Sequence, residues 1–322
     1  MTGIAFIIGA CLLWALDTLI RYPLLFGGTS AWTIVWLEHL LLVVMLVWWL
    51  RPLIPKLFAD RRSWGAFLVI GGLGSALGTV AFTHAFGLIN PSVVILIQKL
   101  QPVVAVSLAA VLLGERIDRR FLGLFALCIA GSLMIAWRDI APALSLSNWA
   151  SGEGRAQLLG YGFTLFAVFA WGASTVFGKQ LSNRGYSTVE LMGGRFLAGF
   201  LVLTPCLLAF TAPLEAFAPS VASKVLLMVL LSGLGGMALY YLGMRRLPAR
   251  TTAIAEMFFP VAAVTVNWLA PGIHAPLSGL QIAGACVLLA GSTLIALTQS
   301  EPPPGKPAPR EPDMLDRATD TP

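Results

Sequence analysis

The sequence is poor in charge. Lys, Arg, Asp and Glu make up 11% of its 322 residues, whereas soluble domains carry about 25%. Eight of these charges fall within the tail 300–322, so the preceding chain has too few to cover a soluble surface. This scarcity excludes a Rossmann enzyme, a β-sandwich and a nucleic-acid module, because each needs polar faces that are missing here.

Cysteine and histidine patterns that carry chemistry are also missing. The cysteines show no paired spacing, which argues against a disulfide framework or a thiolate metal site, and His84 has no second ligand at metal spacing. We therefore expect no cofactor and no metal. Met1-Thr2-Gly3 carries no positive charge, so the first apolar stretch is predicted to be a retained helix rather than a signal peptide. The four cysteines are Cys11, Cys128, Cys206 and Cys286.

Long apolar runs are abundant instead. The chain is 57% hydrophobic, and its mean hydropathy is +0.83. The runs approach the ~20 residues that a helix needs to cross ~30 Å of hydrocarbon, and they lack the alternation of an outer-membrane barrel. We predict an all-α polytopic membrane protein. Its ten predicted spans are 4–22, 31–50, 64–89, 92–114, 121–137, 158–178, 188–210, 225–244, 251–270 and 277–298.

The positions of Lys and Arg predict the orientation. With the N-terminus inside, the inner loops and tail hold fifteen Lys and Arg, and the outer loops hold four, one of which is Arg21. Because basic loops stay on the cytoplasmic side, we expect a multi-pass protein of the inner (plasma) membrane with both termini in the cytoplasm. The basic residues are dispersed at helix ends, where they meet anionic lipid, and they form no patch that indicates nucleic-acid binding.

The chain repeats itself at an offset of about 157 residues. WALDT from Trp14 matches WGAST from Trp171, and QPVVAV from Gln101 matches FPVAAV from Phe259. An odd number of helices per copy inserts the second copy from the opposite side, and such inverted repeats are a recurrent basis of transport. We predict five-helix repeats at 1–141 and 158–299, a periplasmic connection at 142–157, and a disordered cytoplasmic tail at 300–322.

These segments resemble the EamA-type transporters of the drug/metabolite transporter superfamily. The fit is closest over residues 92–136, which contain a helix-breaking proline at Pro102 and the pair Gly114-Glu115. The second copy opens with GYGFTLFAVFAWGASTVFGK in the same manner. The resemblance covers residues 4–298, and it implies ten helices around a central cavity that moves small organic metabolites.

Ionisable residues inside the predicted spans are candidates for the site. A charge at the bilayer centre costs about 2.5–3.5 kcal/mol on insertion scales, so these groups should face a cavity or a partner. We predict that Lys99 neutralises Asp17 or Glu38, and that Arg195 lies close to Glu256. Pairs that only fix helix register are the alternative. Asp17 or Glu38 is also a candidate for proton coupling.

Aromatic residues complete the candidate site. Trp14 and Trp171 occupy equivalent places in the two copies and are candidates for stacking on a substrate, and Tyr240 in the eighth span is a further candidate. The glycine runs at 71–74 and 233–236 are predicted to let helix backbones approach closely. The predicted substrate-binding set is Trp14, Asp17, Glu38, Lys99, Trp171, Arg195, Tyr240 and Glu256.

Together these features predict a secondary transporter that moves small organic metabolites by alternating access, with efflux of amino acids or related compounds favoured. The alternative is a polytopic membrane enzyme acting on a lipid-linked substrate, although the long loop offers only Asp139 and Glu153 as catalytic acids. A channel would need rings of repeated polar groups. The expected partners are a small-molecule substrate and membrane lipids, without nucleic acid, and assembly as a homodimer stays open.

Overall fold

The computed structural model describes residues 2–89, 94, 97–114, 119–143, 152–210, 218–269 and 278–298. Regular structure within these ranges is helical, and they contain no strand. The helices are α1 (Thr2–Phe26), α2 (Ala31–Ala59), α3 (Arg62–Ala85), α4 (Gln101–Leu113), α5 (Arg119–Ala143), α6 (Gly152–Asn183), α7 (Thr188–Phe210), α8 (Pro219–Arg246), α9 (Ala249–Ala255), α10 (Phe259–Leu269) and α11 (Gly279–Thr298). The all-helical class is confirmed.

Six of these helices are long and apolar enough to cross a membrane. The membrane-crossing stretches lie within α1, α2, α3, α6, α7 and α8, so the multi-pass prediction is confirmed for the first three predicted spans of each repeat. The described part of the fourth span contains a short 3-10 turn followed by a 13-residue apolar helix, α4. The count of ten spans stays a prediction.

Short 3-10 turns precede the helices that contain the predicted prolines. Gln98–Leu100 leads into α4 and Glu256–Phe258 leads into α10. Pro102 lies in the first turn of α4, where its missing N–H leaves no hydrogen bond unmade. This proline therefore favours a new helix start inside a predicted span, at an equivalent place to Pro260 in the second half.

The helices around the middle of the chain are longer than predicted. Helix α5 continues to Ala143 and α6 begins at Gly152, so both enter the predicted connection 142–157. The predicted spans 121–137 and 158–178 exclude the charged residues Arg138 and Arg155. A helix can nevertheless continue beyond the hydrocarbon layer, because its backbone hydrogen bonds do not depend on lipid. Residues 144–151 and the predicted disordered tail 300–322 lie outside the described residues.

Helix packing follows the same pattern in both halves of the chain. Helix α1 packs against α8 and α10 of the second half, while α6 packs against α3 and α4 of the first. Helix α2 packs against α7, and α5 packs against α11. Each half therefore buries its first helix between elements of the other half, and the two halves interlock.

Contacts at the helix ends give the relative direction of α1 and α6. A Cβ added to Gly3 at the start of α1 would lie 2.9 Å from Leu247 Cγ, just after α8. Near the end of α6, Lys179 Nζ donates to the Met244 carbonyl of α8 at 3.0 Å. The start of α1 and the end of α6 thus lie beside the same end of α8, so the two helices run in opposite directions.

Charged residues join the two halves where α2 ends and α7 begins. Lys56 Nζ lies 3.1 Å from Glu190 Oε2, and Arg184 Nη1 lies 4.0 Å from Asp60 Oδ2. The Ser63 hydroxyl donates to Asp60 and holds the pKa of that carboxyl below its usual value. Side chains of the two halves therefore meet where α2 ends and α7 begins.

Two glycine-rich segments adopt π-helical geometry, Leu68–Gly78 in α3 and Val229–Gly236 in α8. Such segments are rare and frequently lie at functional sites. A Cβ added to Gly71 would lie 2.7 Å from Ala198 Cβ, and one added to Gly236 would lie 2.8 Å from Trp14 Nε1. The predicted close approach of helix backbones is confirmed for the run 71–74, where a Cβ on Gly71 would overlap the Arg195 carbonyl oxygen, whereas Gly236 faces the side chain of Trp14. The π-helical geometry was not predicted.

We expect Gly71→Ala to destabilise the protein by about 1–3 kcal/mol, because the added methyl group overpacks the contact between α3 and α7. Gly65→Ala is the matched control in the same helix, since nothing lies within 4 Å of its added Cβ. Thermal unfolding of the purified variants measures both effects. Equal melting temperatures for the two variants would contradict the packing argument.

Candidate functional site

A cavity of about 190 Å³ lies between the two halves of the protein. It is lined by residues of α1, α2, α3, α4, α6, α7, α8 and α10 and of the two 3-10 turns. Seven of the eight predicted substrate-binding residues line it. These seven are Trp14, Asp17, Glu38, Trp171, Arg195, Tyr240 and Glu256.

The eighth predicted residue is Lys99, whose side chain lies outside the described part of the structure. Its proposed pairing with Asp17 or Glu38 therefore stays a prediction. Both acids nevertheless contact a cationic side chain, one that was predicted to lie in an outer loop.

That partner is Arg21. The prediction put Arg21 in an outer loop, but it lies in the last two turns of α1 and is only 8% exposed. Its Nε donates to Asp17 Oδ2 at 2.6 Å, and its Nη2 donates to Glu38 Oε2 at 3.1 Å. The i,i+4 spacing of Asp17 and Arg21 was the available signal, and it was missed because Arg21 stands at the end of an apolar run.

The second half of the chain also contributes to this charged cluster. Ser232, in the π-helical segment of α8, donates to Asp17 Oδ1 at 2.7 Å. The cluster thus holds two carboxylates and one guanidinium, with a hydroxyl from the other half. Because all of these groups line the cavity, it has a polar wall that depends on how the halves are packed.

Glu256 lies on the second 3-10 turn and is held by neutral groups. It accepts from Gln101 Nε2 at 2.7 Å and from Thr175 Oγ1 at 3.4 Å. Tyr240 in turn donates to Thr175 Oγ1 at 3.1 Å. Gln101 and Thr175 were not among the predicted site residues.

Arg195 and Glu256 line the same cavity, but they form no direct ion pair. Among the described residues, no carboxylate lies within 4 Å of the Arg195 guanidinium, and Arg195 Nη1 donates to the Tyr241 hydroxyl at 3.4 Å. Neither Arg195 nor Glu256 is therefore stabilised by a direct ion pair with the other. Arg195 also stands 157 positions after Glu38, so the repeat places opposite charges at equivalent points.

Aromatic pairs line the cavity at equivalent places in the two halves. The rings of Trp14 and Tyr240 have centroids 5.5 Å apart, and those of Trp171 and Phe82 have centroids 4.7 Å apart. Each pair joins the first helix of one half to the third helix of the other. Phe82 was not among the predicted residues, although it stands 158 positions before Tyr240.

The cavity offers hydrogen-bonding and stacking groups rather than a metal centre. No cluster of three or more His, Cys, Asp or Glu with the arrangement of a metal site occurs in the parts of the chain that the structure describes. His39 Nε2 lies 3.0 Å from Ser75 Oγ, and its Nδ1 lies 2.8 Å from the Val35 carbonyl. Both ring nitrogens thus have partners within the protein.

Comparison with protein families gives a match to the EamA-like transporter family over residues 1–137 and again over residues 158–297. The chain belongs to this family. The two matches coincide with the two predicted repeats, and together they span most of the sequence. The transporter class is thereby confirmed, and the alternative of a membrane enzyme is set aside.

Similarity to individual proteins agrees with the family match. The chain is 27% identical over 293 residues to "Riboflavin transporter ImpX" of Fusobacterium nucleatum subsp. nucleatum, and the alignment covers 87% of this chain and 92% of that relative. A solved crystal structure shares the fold with a TM-score of 0.67 at 18% identity, covering 92% of this chain and 96% of the other.

We expect Arg21→Gln to lower the yield and the melting temperature of the folded protein, because it leaves two buried carboxylates without their cation. Removing one member of a buried ion pair costs about 3–5 kcal/mol. The double variant Arg21→Gln/Glu38→Gln should recover part of this loss, since it also removes one carboxylate. Size-exclusion chromatography and thermal unfolding measure both variants, and a single variant as stable as the wild type would contradict a structural role for the cluster.

Proposed function

We propose that the protein is a secondary transporter that works by alternating access, with ten spans arranged as two inverted five-helix repeats. The two family matches, the interlocked packing of the halves and the opposite directions of α1 and α6 support this arrangement. The distribution of Lys and Arg supports an inner-membrane location with both termini in the cytoplasm.

The proposed substrate is a small metabolite with a planar aromatic ring. The observation that carries this proposal is the pair of aromatic contacts, Trp14 with Tyr240 and Trp171 with Phe82, which line the cavity in both halves. Aromatic pairs contribute about 0.5–1.5 kcal/mol beyond their buried area. Riboflavin is the first compound to test, because it has such a ring and a relative is named as its transporter.

An amino acid is the second candidate substrate, with efflux as the expected direction. One specific observation favours it. Arg195 and Glu256 line one cavity as a cation and an acid without a direct ionic partner among the described residues. A zwitterion carries the two complementary charges, and an aromatic amino acid would satisfy the ring requirement as well.

The access change should involve the contacts that cross between the halves. Ser232 reaches Asp17 from α8, and Trp171 Nε1 of α6 donates to the Gly74 carbonyl of α3 at 3.0 Å. Both contacts involve π-helical segments, whose glycines let α3 and α8 lie close to their neighbours. We therefore propose that α3 and α8 shift against α6 and α1 when the cavity changes its opening.

The deciding experiment is flux into and out of vesicles that contain only this protein. Riboflavin, L-tryptophan and L-alanine are compared, each with and without unlabelled compound on the opposite side. We expect saturable riboflavin flux that is stimulated from the opposite side, as a carrier requires, and little alanine flux. Movement of alanine without either ring compound would refute the aromatic substrate class, and flux without stimulation would favour a channel.

We expect Trp14→Leu to raise the KM for the transported ring compound about tenfold, because the loss of stacking and of buried contact area weakens binding. Trp48→Leu is the matched control, since Trp48 is 65% exposed and does not line the cavity. Initial rates in vesicles, corrected for the amount of folded protein, measure both variants. A KM for Trp14→Leu equal to that of the control would remove Trp14 from the substrate site.

A further inference from the structure

We infer that Arg195 anchors a hydrogen-bond acceptor edge of the transported solute, either a carboxylate or the carbonyl edge of an imide ring. The inference rests on the proposed function, because it assigns a role inside the same central cavity. It begins from a contrast between two arginines that both line this cavity, Arg21 and Arg195.

The two arginines have equal burial and different partners. Both are 8% exposed. Arg21 lies between two carboxylates, those of Asp17 and Glu38. Arg195 donates to the neutral hydroxyl of Tyr241, and within the described residues no carboxylate lies within 4 Å of its guanidinium.

The Nε of Arg195 is also unsatisfied. It is buried and has no hydrogen-bond partner among the described groups. A buried ion without compensation costs several kcal/mol, and an arginine does not escape this cost by deprotonation. An acceptor supplied by the solute would offset the cost, and it would do so only when the solute occupies the cavity.

The geometry of a guanidinium selects the chemistry of that acceptor. Its planar set of N–H donors matches two oxygens in one plane, as a carboxylate presents them, and such paired contacts are stronger than single ones. Carbonyl groups along one edge of a planar imide ring offer a similar row of acceptors. An ammonium group or a bare hydrocarbon ring would not meet this requirement.

The backbone around Arg195 is held in place by tight packing. Gly71 of α3 faces the Arg195 carbonyl oxygen so closely that any side chain there would overlap it. The next residue, Phe196, packs edge-on against His39 of α2 with centroids 5.6 Å apart. The base of the Arg195 side chain is therefore fixed before the solute arrives, which reduces the entropy lost on binding.

Glu256 distinguishes the two sources of the acceptor edge. Its hydrogen-bond partners Gln101 and Thr175 are neutral, so a solute with an ammonium group would be attracted to its carboxylate. An amino acid would thus need both Arg195 and Glu256 for tight binding. An imide ring would need Arg195 and would not depend on a negative charge at Glu256.

The test measures ligand binding by the purified full-length protein in lipid nanodiscs, with riboflavin, L-tryptophan and tryptamine as probes. Tryptamine keeps the ring and the ammonium group of tryptophan and lacks its carboxylate. We expect riboflavin or tryptophan to bind and tryptamine to bind at least tenfold more weakly. Arg195→Gln should raise the Kd of the bound probe at least tenfold, while the control Arg245→Gln, at an exposed arginine of α8, should leave it unchanged.

Arg195→Lys keeps the positive charge and loses the planar donor set, so we expect its Kd to rise about fivefold. If Arg195→Gln does not fold, the Kd measured with Arg195→Lys tests the assignment instead. Glu256→Gln then identifies the source: weaker binding of tryptophan indicates a carboxylate of a zwitterion, and unchanged binding of riboflavin indicates an imide edge.

An unchanged Kd in the folded Arg195 variants would overturn the assignment of Arg195, and riboflavin flux by the wild type would still support the proposed function. Equal binding of tryptamine and tryptophan would overturn the requirement for an acceptor edge. If neither riboflavin nor tryptophan binds to the wild-type protein, the proposed ring-containing substrate and the role of Arg195 both fail.

Discussion

The structure depends on stabilising a few charged side chains among membrane-crossing helices, where water does not hydrate them. Asp17, Arg21 and Glu38 achieve this by mutual contact, and Ser232 completes the hydrogen bonding from the other half of the chain. The helices that carry these residues are otherwise long and apolar. A stable cavity therefore requires that both halves fold and dock, because one half alone would leave part of this polar wall without partners.

The sequence predicted the class of the protein well, because apolar length is a direct consequence of bilayer thickness. Six helices match predicted spans. The α4 region was harder to predict, because Pro102 lies inside a predicted span and the mean hydropathy of a span does not show where one helix ends and the next begins. The π-helical segments were also missed, because Gly71 and its neighbours indicate close packing but do not specify which hydrogen-bond pattern the backbone adopts.

The site residues that could be predicted are those whose transfer into lipid has a high free energy. The insertion free energy of a charged side chain was enough to identify Glu38 and Glu256, and both line the cavity. The hydrogen-bond partners of these residues depend on which helices pack together, and the sequence pattern does not specify that packing. Arg21 was therefore placed in a loop, and the neutral partners of Glu256, namely Gln101 and Thr175, carried no signal that hydropathy or charge could detect.

Both halves match the same family model, yet Glu38 and Arg195 stand 157 positions apart with opposite charge. If the halves exchange conformations, the solute meets a different electrostatic environment when the cavity faces the cytoplasm than when it faces the other side. The carrier would then bind its cargo with unequal strength at its two faces. Such kinetic asymmetry leaves the equilibrium distribution of the cargo unchanged, but it sets the concentration at which each face saturates.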